Sequence, residues 1–326
     1  MSGSDPSSVE PNTTPAPTAA SKQPLPVSQR RGFMWGAVVV AVLVVSSVLA
    51  ARGEGLTVAA AVLLGLVEGL TEWLPISSTG HLTVVQRLLG IAGGAADSYA
   101  IAIQAGAILA VLFLYPHRFI SMLRALCGGD ADGKRLMVAL VAASLPAAAV
   151  GLLLEDPIKR YLFSMWPVVV AWLIGGVAIL VVARRRRHRD PTQGMQLTAL
   201  SWRPALLIGL AQTLALWPGT SRSLVTILAA TALGLALPAA VEFSFLLGFV
   251  VLSGATLYEI VTSGAEMLQA YGLGIPLIGL AVALVSALLA MRWLVAYVER
   301  SGLTLFGWYR IGAAVVVAGL MLAGTV

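Results

Sequence analysis

The chain has 326 residues, of which 58% are hydrophobic and only 11% charged, with a formal net charge of +6 and a mean hydropathy of +0.89. A soluble globular domain carries about 25% charged residues, so this chain cannot cover itself with polar surface, and its composition excludes a soluble enzyme. Its positive charge reads as the loop bias of a membrane protein rather than a nucleic-acid footprint, and its single cysteine, Cys127, excludes an internal disulfide framework.

Residues 1–29 are rich in Ser, Pro and Thr and hold no apolar run, so 1–32 is expected to be a disordered tail. Arg30 and Arg31 then precede an apolar stretch over 33–51. Basic residues before a short apolar run resemble a signal peptide, but the leading region is long and no clear cleavage site follows. The expectation is an uncleaved extra transmembrane helix with its N-terminus inside, followed by one membrane domain over 52–326.

The apolar runs of that domain are continuous rather than alternating, which points to helices and not to a barrel. A spanning helix needs about 20 residues. Segments 98–115, 136–154, 167–183, 240–258, 273–297 and 306–325 reach or approach that length. The pairs 57–72 with 82–91, and 204–217 with 224–237, fall short, and a Pro-containing polar motif splits each pair. Two short helices around a polar break read as a re-entrant hairpin whose tip is buried in protein.

Loop charges orient the chain. Arg118, Arg124, Lys134 and Arg135 lie in 116–135, and RRRRHR occupies 184–189; both loops are expected on the cytoplasmic side. The first hairpin then dips in from outside and the second from inside. GLVEGLTEWLP from Gly65 resembles GLAQTLALWP from Gly209, with Gly65, Leu66 and Trp73 matching Gly209, Leu210 and Trp217 at an offset of 144. One gap brings Pro75 onto Pro218 and Ser78 onto Ser221. The fold class expected is an all-α integral membrane protein: an inverted repeat with two re-entrant hairpins, six core spans and the extra N-terminal helix. Its first repeat covers 57–183 and its second 204–326.

The two breaks carry the chemistry. Glu68 and Glu72 share a helix face at a spacing where like charges oppose each other, and a carboxylate deep in a bilayer costs about 2.5–3.5 kcal/mol. Such a pair can share a proton or a divalent cation, or orient a base. Ser77, Ser78, Thr79 and His81 follow. Any one of these hydroxyls could simply cap a helix, and Ser77 stands nearest a cap position. Glu, Ser and His together supply a nucleophile, a base and its orienting carboxylate. The second break, Pro218-Gly219-Thr220-Ser221-Arg222-Ser223 with Thr226 one turn on, reads as an anion site. Glycine permits close approach, a helix N-terminus offers free N–H groups, and Arg222 offers a planar fork. Near the midplane that arginine would otherwise lack a partner. A base and nucleophile beside a phosphate cradle, inside a membrane, point to a phosphate carried on a lipid.

EGLTEWLPISSTGHL and LWPGTSRSLVT resemble the two signature motifs of the bacterial undecaprenyl-diphosphate phosphatases, the bacitracin-resistance family. IQAGAILAVL at 103–112, EFSFLL at 242–247 and LFGWYR at 305–310 are also similar to that family. The resemblance covers about residues 57–326. It implies hydrolysis of undecaprenyl diphosphate to undecaprenyl phosphate and phosphate, which recycles the lipid carrier of cell-wall synthesis and confers bacitracin resistance. It further implies a multi-pass protein of the bacterial inner membrane, a site opening outward, a divalent cation (Mg or Ca) and a homodimer. By the same resemblance Ser78 is the nucleophile, assisted by Glu72 and His81. Glu68 helps to hold the cation or the pyrophosphate, with Glu72 as the other candidate metal ligand. Arg222 with Ser221, Ser223 and Thr226 binds phosphate. Residues 1–56 stand outside the family core, and Gly248-Phe249-Val250 follows EFSFLL where the family usually places a proline. The alternative reading is a lipid-phosphate flippase or transporter, which needs charge recognition but no nucleophile.

Overall fold

The computed structural model describes residues 56–326 except 163 and 187–189. The expected tail over 1–32, the extra helix over 33–51 and the end of the RRRRHR run lie outside the described residues. Within the described residues the chain is helical, with no strand beyond one isolated bridge between Met195 and Leu235. The first half contains α1 (Val58–Thr71), α2 (Ser78–Leu88), α3 (Gly94–Leu114), α4 (Pro116–Leu126), α5 (Ala131–Leu153), α6 (Glu155–Leu162) and α7 (Met165–Arg185). The second contains α8 (Trp202–Gln212), α9 (Arg222–Ala232), α10 (Leu237–Tyr271), α11 (Gly274–Ser301) and α12 (Thr304–Leu322).

Six of these, α3, α5, α7, α10, α11 and α12, are long and apolar enough to cross a bilayer, and they match the six expected segments. The protein is therefore a multi-pass, all-α membrane protein. Leu145, Val177, Leu289 and Val315 are among many large apolar side chains left exposed on these helices. A belt of that extent belongs in lipid, not water.

Three boundaries differ from the sequence expectation. α10 was expected over 240–258 and runs for 35 residues to Tyr271. At about 1.5 Å per residue it is about 50 Å long, well beyond a hydrocarbon core of about 30 Å. Polar residues such as Glu259 end the apolar run but not the helix, which stops only at Gly272 with φ 65°. The loop 116–135 contains α4, opened by Pro116 at its first turn, with Ile120, Leu123 and Leu126 exposed. Asp130 then caps α5, accepting from the Gly133 N–H at 2.8 Å and the Ser121 hydroxyl at 2.7 Å. These donors hold its carboxyl below the usual carboxylate range. Finally, α2 begins at Ser78 rather than 82, so Ser78 and His81 are both helical.

The packing is reciprocal between the halves. α1 lies against α11 and α8 against α5, while α3 packs on α10 and α7 on α12. Exchanging the halves leaves this set of pairs unchanged. The equivalent glycines Gly65 and Gly209 make the two hairpin crossings: a Cβ would meet the Gly279 carbonyl carbon at 3.2 Å in one and the Ala143 carbonyl carbon at 2.8 Å in the other. Small residues let membrane helices approach this closely.

A second pair marks the repeat. Ser77 and Ser221 are the non-glycine residues with positive φ among the described residues, at 74° and 75°, and each immediately precedes a short helix, α2 or α9. They are 144 positions apart, like the glycines. The gap drawn from sequence, which set Ser78 on Ser221, is thus corrected: Ser77 matches Ser221 and Ser78 matches Arg222. Such backbones cost of order 1–3 kcal/mol and persist only where the surroundings impose them.

Candidate functional site

The two breaks meet inside the helix bundle. The Ser223 hydroxyl donates to the Leu74 carbonyl at 2.8 Å, Arg222 reaches Glu72, and Arg310 donates to Pro75 O at 3.3 Å and Gly219 O at 2.9 Å. Trp73, with no exposure, anchors the first tip by donating its indole N–H to Ala107 O at 3.0 Å. Trp217 anchors the second through Pro167 O at 3.1 Å.

Glu72 sits at the centre. One carboxylate oxygen accepts from the Ser78 hydroxyl, and the other accepts from Arg222 Nη2 at 3.2 Å. Ser78 is the first residue of α2, and the preceding Ser77 makes no side-chain cap bond. Ser77 thus occupies the cap position, as expected, but does not cap. The N–H groups of the first turn remain uncapped by a side chain, and a helix N-terminus of this kind favours an anion. The Ser78 hydroxyl, the Glu72 carboxylate and the positive end of α2 converge on one point.

Arg222 is not without a protein partner, as the sequence suggested a midplane arginine would be. Besides Glu72, its Nη1 donates to Ser244 O at 2.8 Å, and its guanidinium lies 4.9 Å over the Trp73 ring. Gly248 makes room for it, since a Cβ there would fall on the guanidinium. Its Nε stays buried without a partner, leaving one edge of the fork for a ligand. The other expected phosphate residues spend their hydroxyls on protein. Ser223 donates to Leu74, which leaves the Ser221 hydroxyl to donate to Ser223 Oγ at 3.0 Å. Thr226 is wholly buried, bonded to Arg222 O at 2.9 Å and paired with Ser244 Oγ at 2.7 Å. These three stitch the tips and α10 together.

His81 is not brought onto Ser78. Its Nδ1–H donates to Ser77 O at 2.7 Å, and its Nε2 lies 2.7 Å from the Tyr309 hydroxyl. The ring packs against Trp172 and stacks on Tyr309. The carboxylate that accepts from Ser78 in this structure is that of Glu72.

Arg310, within LFGWYR, is a residue to which the motif alone assigns no role. It is fully buried and donates to Ala171 O and Trp172 O of α7 as well as to both tips. An ionisable residue within an apolar span is by itself a sign of function, so the signal was available. Arg310 lies against Gly175 of α7, where a Cβ would meet its guanidinium carbon at 2.7 Å. Gly175→Ala is therefore expected to lift the clamp from the tip carbonyls. Each buried polar group left unpaired costs about 1–3 kcal/mol, so the variant should melt several degrees lower and turn over at least about tenfold more slowly. Wild-type melting and turnover would show that the clamp can move freely.

Glu68 is buried at 1% exposure, and neither carboxylate oxygen has a protein partner. Glu72, by contrast, is engaged at both oxygens. Among the described residues no three His, Cys, Asp or Glu side chains group as a metal site. Mg²⁺ commonly takes one or two carboxylates together with phosphate oxygens. The residues present fit a cation through Glu68 completed by its substrate, with Glu72 reserved for Ser78 and Arg222.

The family model described as bacitracin resistance protein BacA matches residues 61–316. The undecaprenyl-diphosphatase of Sorangium cellulosum (strain So ce56) is 43% identical over 261 residues, 80% of this chain and 85% of that protein. The one from Nitrosomonas europaea is 45% identical over 257 residues, 79% and 92% respectively. Undecaprenyl-diphosphatase 2 of Rhodospirillum rubrum is 43% identical over 267 residues, 82% and 96%.

Proposed function

The chain belongs to the bacitracin resistance protein BacA family, and on that premise we propose that its two tips hydrolyse undecaprenyl diphosphate to undecaprenyl phosphate and phosphate. The observation that carries this reading is the hydrogen-bonded run Ser78–Glu72–Arg222 across the tips. Glu72 takes the Ser78 proton as Oγ attacks the terminal phosphorus. The new P–O bond forms as the bond to the bridging oxygen breaks, and undecaprenyl phosphate leaves. Water then attacks the phosphoserine phosphorus, the P–Oγ bond breaks as Glu72 returns the proton to Oγ, and phosphate leaves. Arg222, through Nε, and the first-turn N–H groups of α2 grip the phosphate oxygens, where charge accumulates. His81 holds the Ser77 carbonyl and so sets the start of α2. A divalent cation, Mg²⁺ or Ca²⁺, would be held by Glu68 and would neutralise charge on the diphosphate.

The direct test is phosphate release by purified protein from undecaprenyl diphosphate, with and without chelator. Release that is absent in every metal condition would exclude the reading. The reciprocal halves also suit a lipid-phosphate transporter, but transport alone gives no use for a serine hydroxyl bonded to a carboxylate.

The same proposal places the protein in the bacterial inner membrane as a homodimer recycling the cell-wall lipid carrier, with the site open to the outer face and bacitracin resistance as a consequence. Orientation rests on the loop charges. Gln193 is exposed in the loop 184–203. Gln193→Cys, in a Cys127→Ser background, is expected to react with an impermeant thiol reagent only from the cytoplasmic side. Labelling in intact cells would invert the orientation.

A further inference from the structure

Gln212 ends α8 and is the counterpart of Glu68: aligning GLVEGLTEW from Gly65 with GLAQTLALW from Gly209 sets the two at the same place, 144 residues apart. The structure carries the same offset. Gly65 and Gly209 form the reciprocal helix crossings, and the Pro75 and Gly219 carbonyls, also 144 apart, share the Arg310 guanidinium. Gln212 is buried at 2% exposure, and neither its Nε2 nor its Oε1 has a protein hydrogen-bond partner. Buried polar groups are nearly always satisfied, and leaving an amide unpaired costs stability. Apolar side chains of the same length exist, so retaining an unpaired amide here is a cost that folding alone does not explain.

The differences between the halves say what the amide is for. Where the first half has Glu68, Glu72 and Ser78, the second has Gln212, Leu216 and Arg222. Both carboxylates of the first tip are replaced, one by an amide and one by an apolar side chain, and Ser78 by a guanidinium, while the hydroxyls of Ser77 and Thr79 keep counterparts in Ser221 and Ser223. The first tip handles protons, and the second presents donors without negative charge, which is what a polyanion requires.

We infer that Gln212 binds the headgroup: its amide N–H donates to a phosphate oxygen of the lipid diphosphate from the side of the second tip, opposite Glu68. This rests on reading the tips as the diphosphate site. It adds to Arg222 a neutral donor, drawn from the GLAQTLALWP stretch that the sequence left without a role. A glutamate in its place would repel the ligand.

The test uses Gln212→Met, which keeps the length and removes the hydrogen bonds. Binding of undecaprenyl diphosphate is compared in Ser78→Ala and in Ser78→Ala/Gln212→Met, together with the melting temperature of each protein without lipid. The expected result is about tenfold weaker binding with an unchanged or higher melting temperature, because an unpaired amide has been removed. Equal affinity overturns the inference. So does a ligand-free melting temperature several degrees lower, which would assign the amide to the protein's own packing. Gln212→Leu repeats the comparison if the methionine protein is not recovered. If wild-type protein releases no phosphate from undecaprenyl diphosphate, the proposed function fails first and the inference falls with it.

Discussion

Ser78→Ala is expected to lower phosphate release at least about a thousandfold while leaving lipid binding intact. Among the described residues the Ser78 hydroxyl is the one that donates to Glu72, and it stands at the first residue of α2, where the uncapped helix N-terminus would meet an incoming phosphate. Removing one oxygen leaves Arg222, Glu72 and Arg310 with their other partners, so the protein should still fold and still bind. Ser77→Ala is the control. Its side chain makes no cap bond, so its melting temperature should stay close to wild type, not fall by the amount of a lost cap. Both variants are assayed for phosphate release in detergent, with melting recorded alongside. Near-wild-type turnover by the Ser78 variant would remove it as nucleophile and shift the chemistry to an activated water.

Arg222→Lys should cost about a hundredfold or more in kcat/KM although it keeps the charge. The guanidinium serves several directions at once: Nη2 to Glu72, Nη1 to Ser244 O, and a free Nε, with its face on Trp73. A lysine ammonium is a compact point charge on a flexible stem and cannot fill a planar fork. Held by Glu72 it would abandon the phosphate, and held by the phosphate it would leave Glu72 and Ser244 O unpaired. Kinetics over a range of substrate concentrations decide the matter. A lysine variant with wild-type kcat/KM would reduce the role of Arg222 to charge alone.

The membrane class, six spans and two polar breaks were legible in the sequence because hydropathy and helix punctuation are local. Each is set within about 20 neighbouring residues by the need to satisfy backbone groups in lipid. Glu68, Glu72 and Arg222 stood out for the same reason, since ionisable groups within apolar sequence are expensive, and Ser78 stood out by its company with Glu and His. The length of α10 did not stand out, because a helix leaving the membrane needs no apolar signal to continue.

Partnership is what only the tertiary structure decided. Arg222 and Glu72 are 150 residues apart, and Arg310 and Pro75 are 235 apart, so no window of sequence pairs them. Spacing placed His81 near Ser78 on one helix face. The fold instead turned its ring to Tyr309, 228 residues away, and gave the Ser78 hydroxyl to Glu72. Spacing also offered Ser223 and Thr226 as phosphate donors, and only the fold shows their hydroxyls bonded to the apposed tip and to α10. Hydrophobicity and turn chemistry act along the chain and can be read from it. A hydrogen bond needs two groups within about 3 Å, and here the meeting of two interleaved halves decides which groups those are.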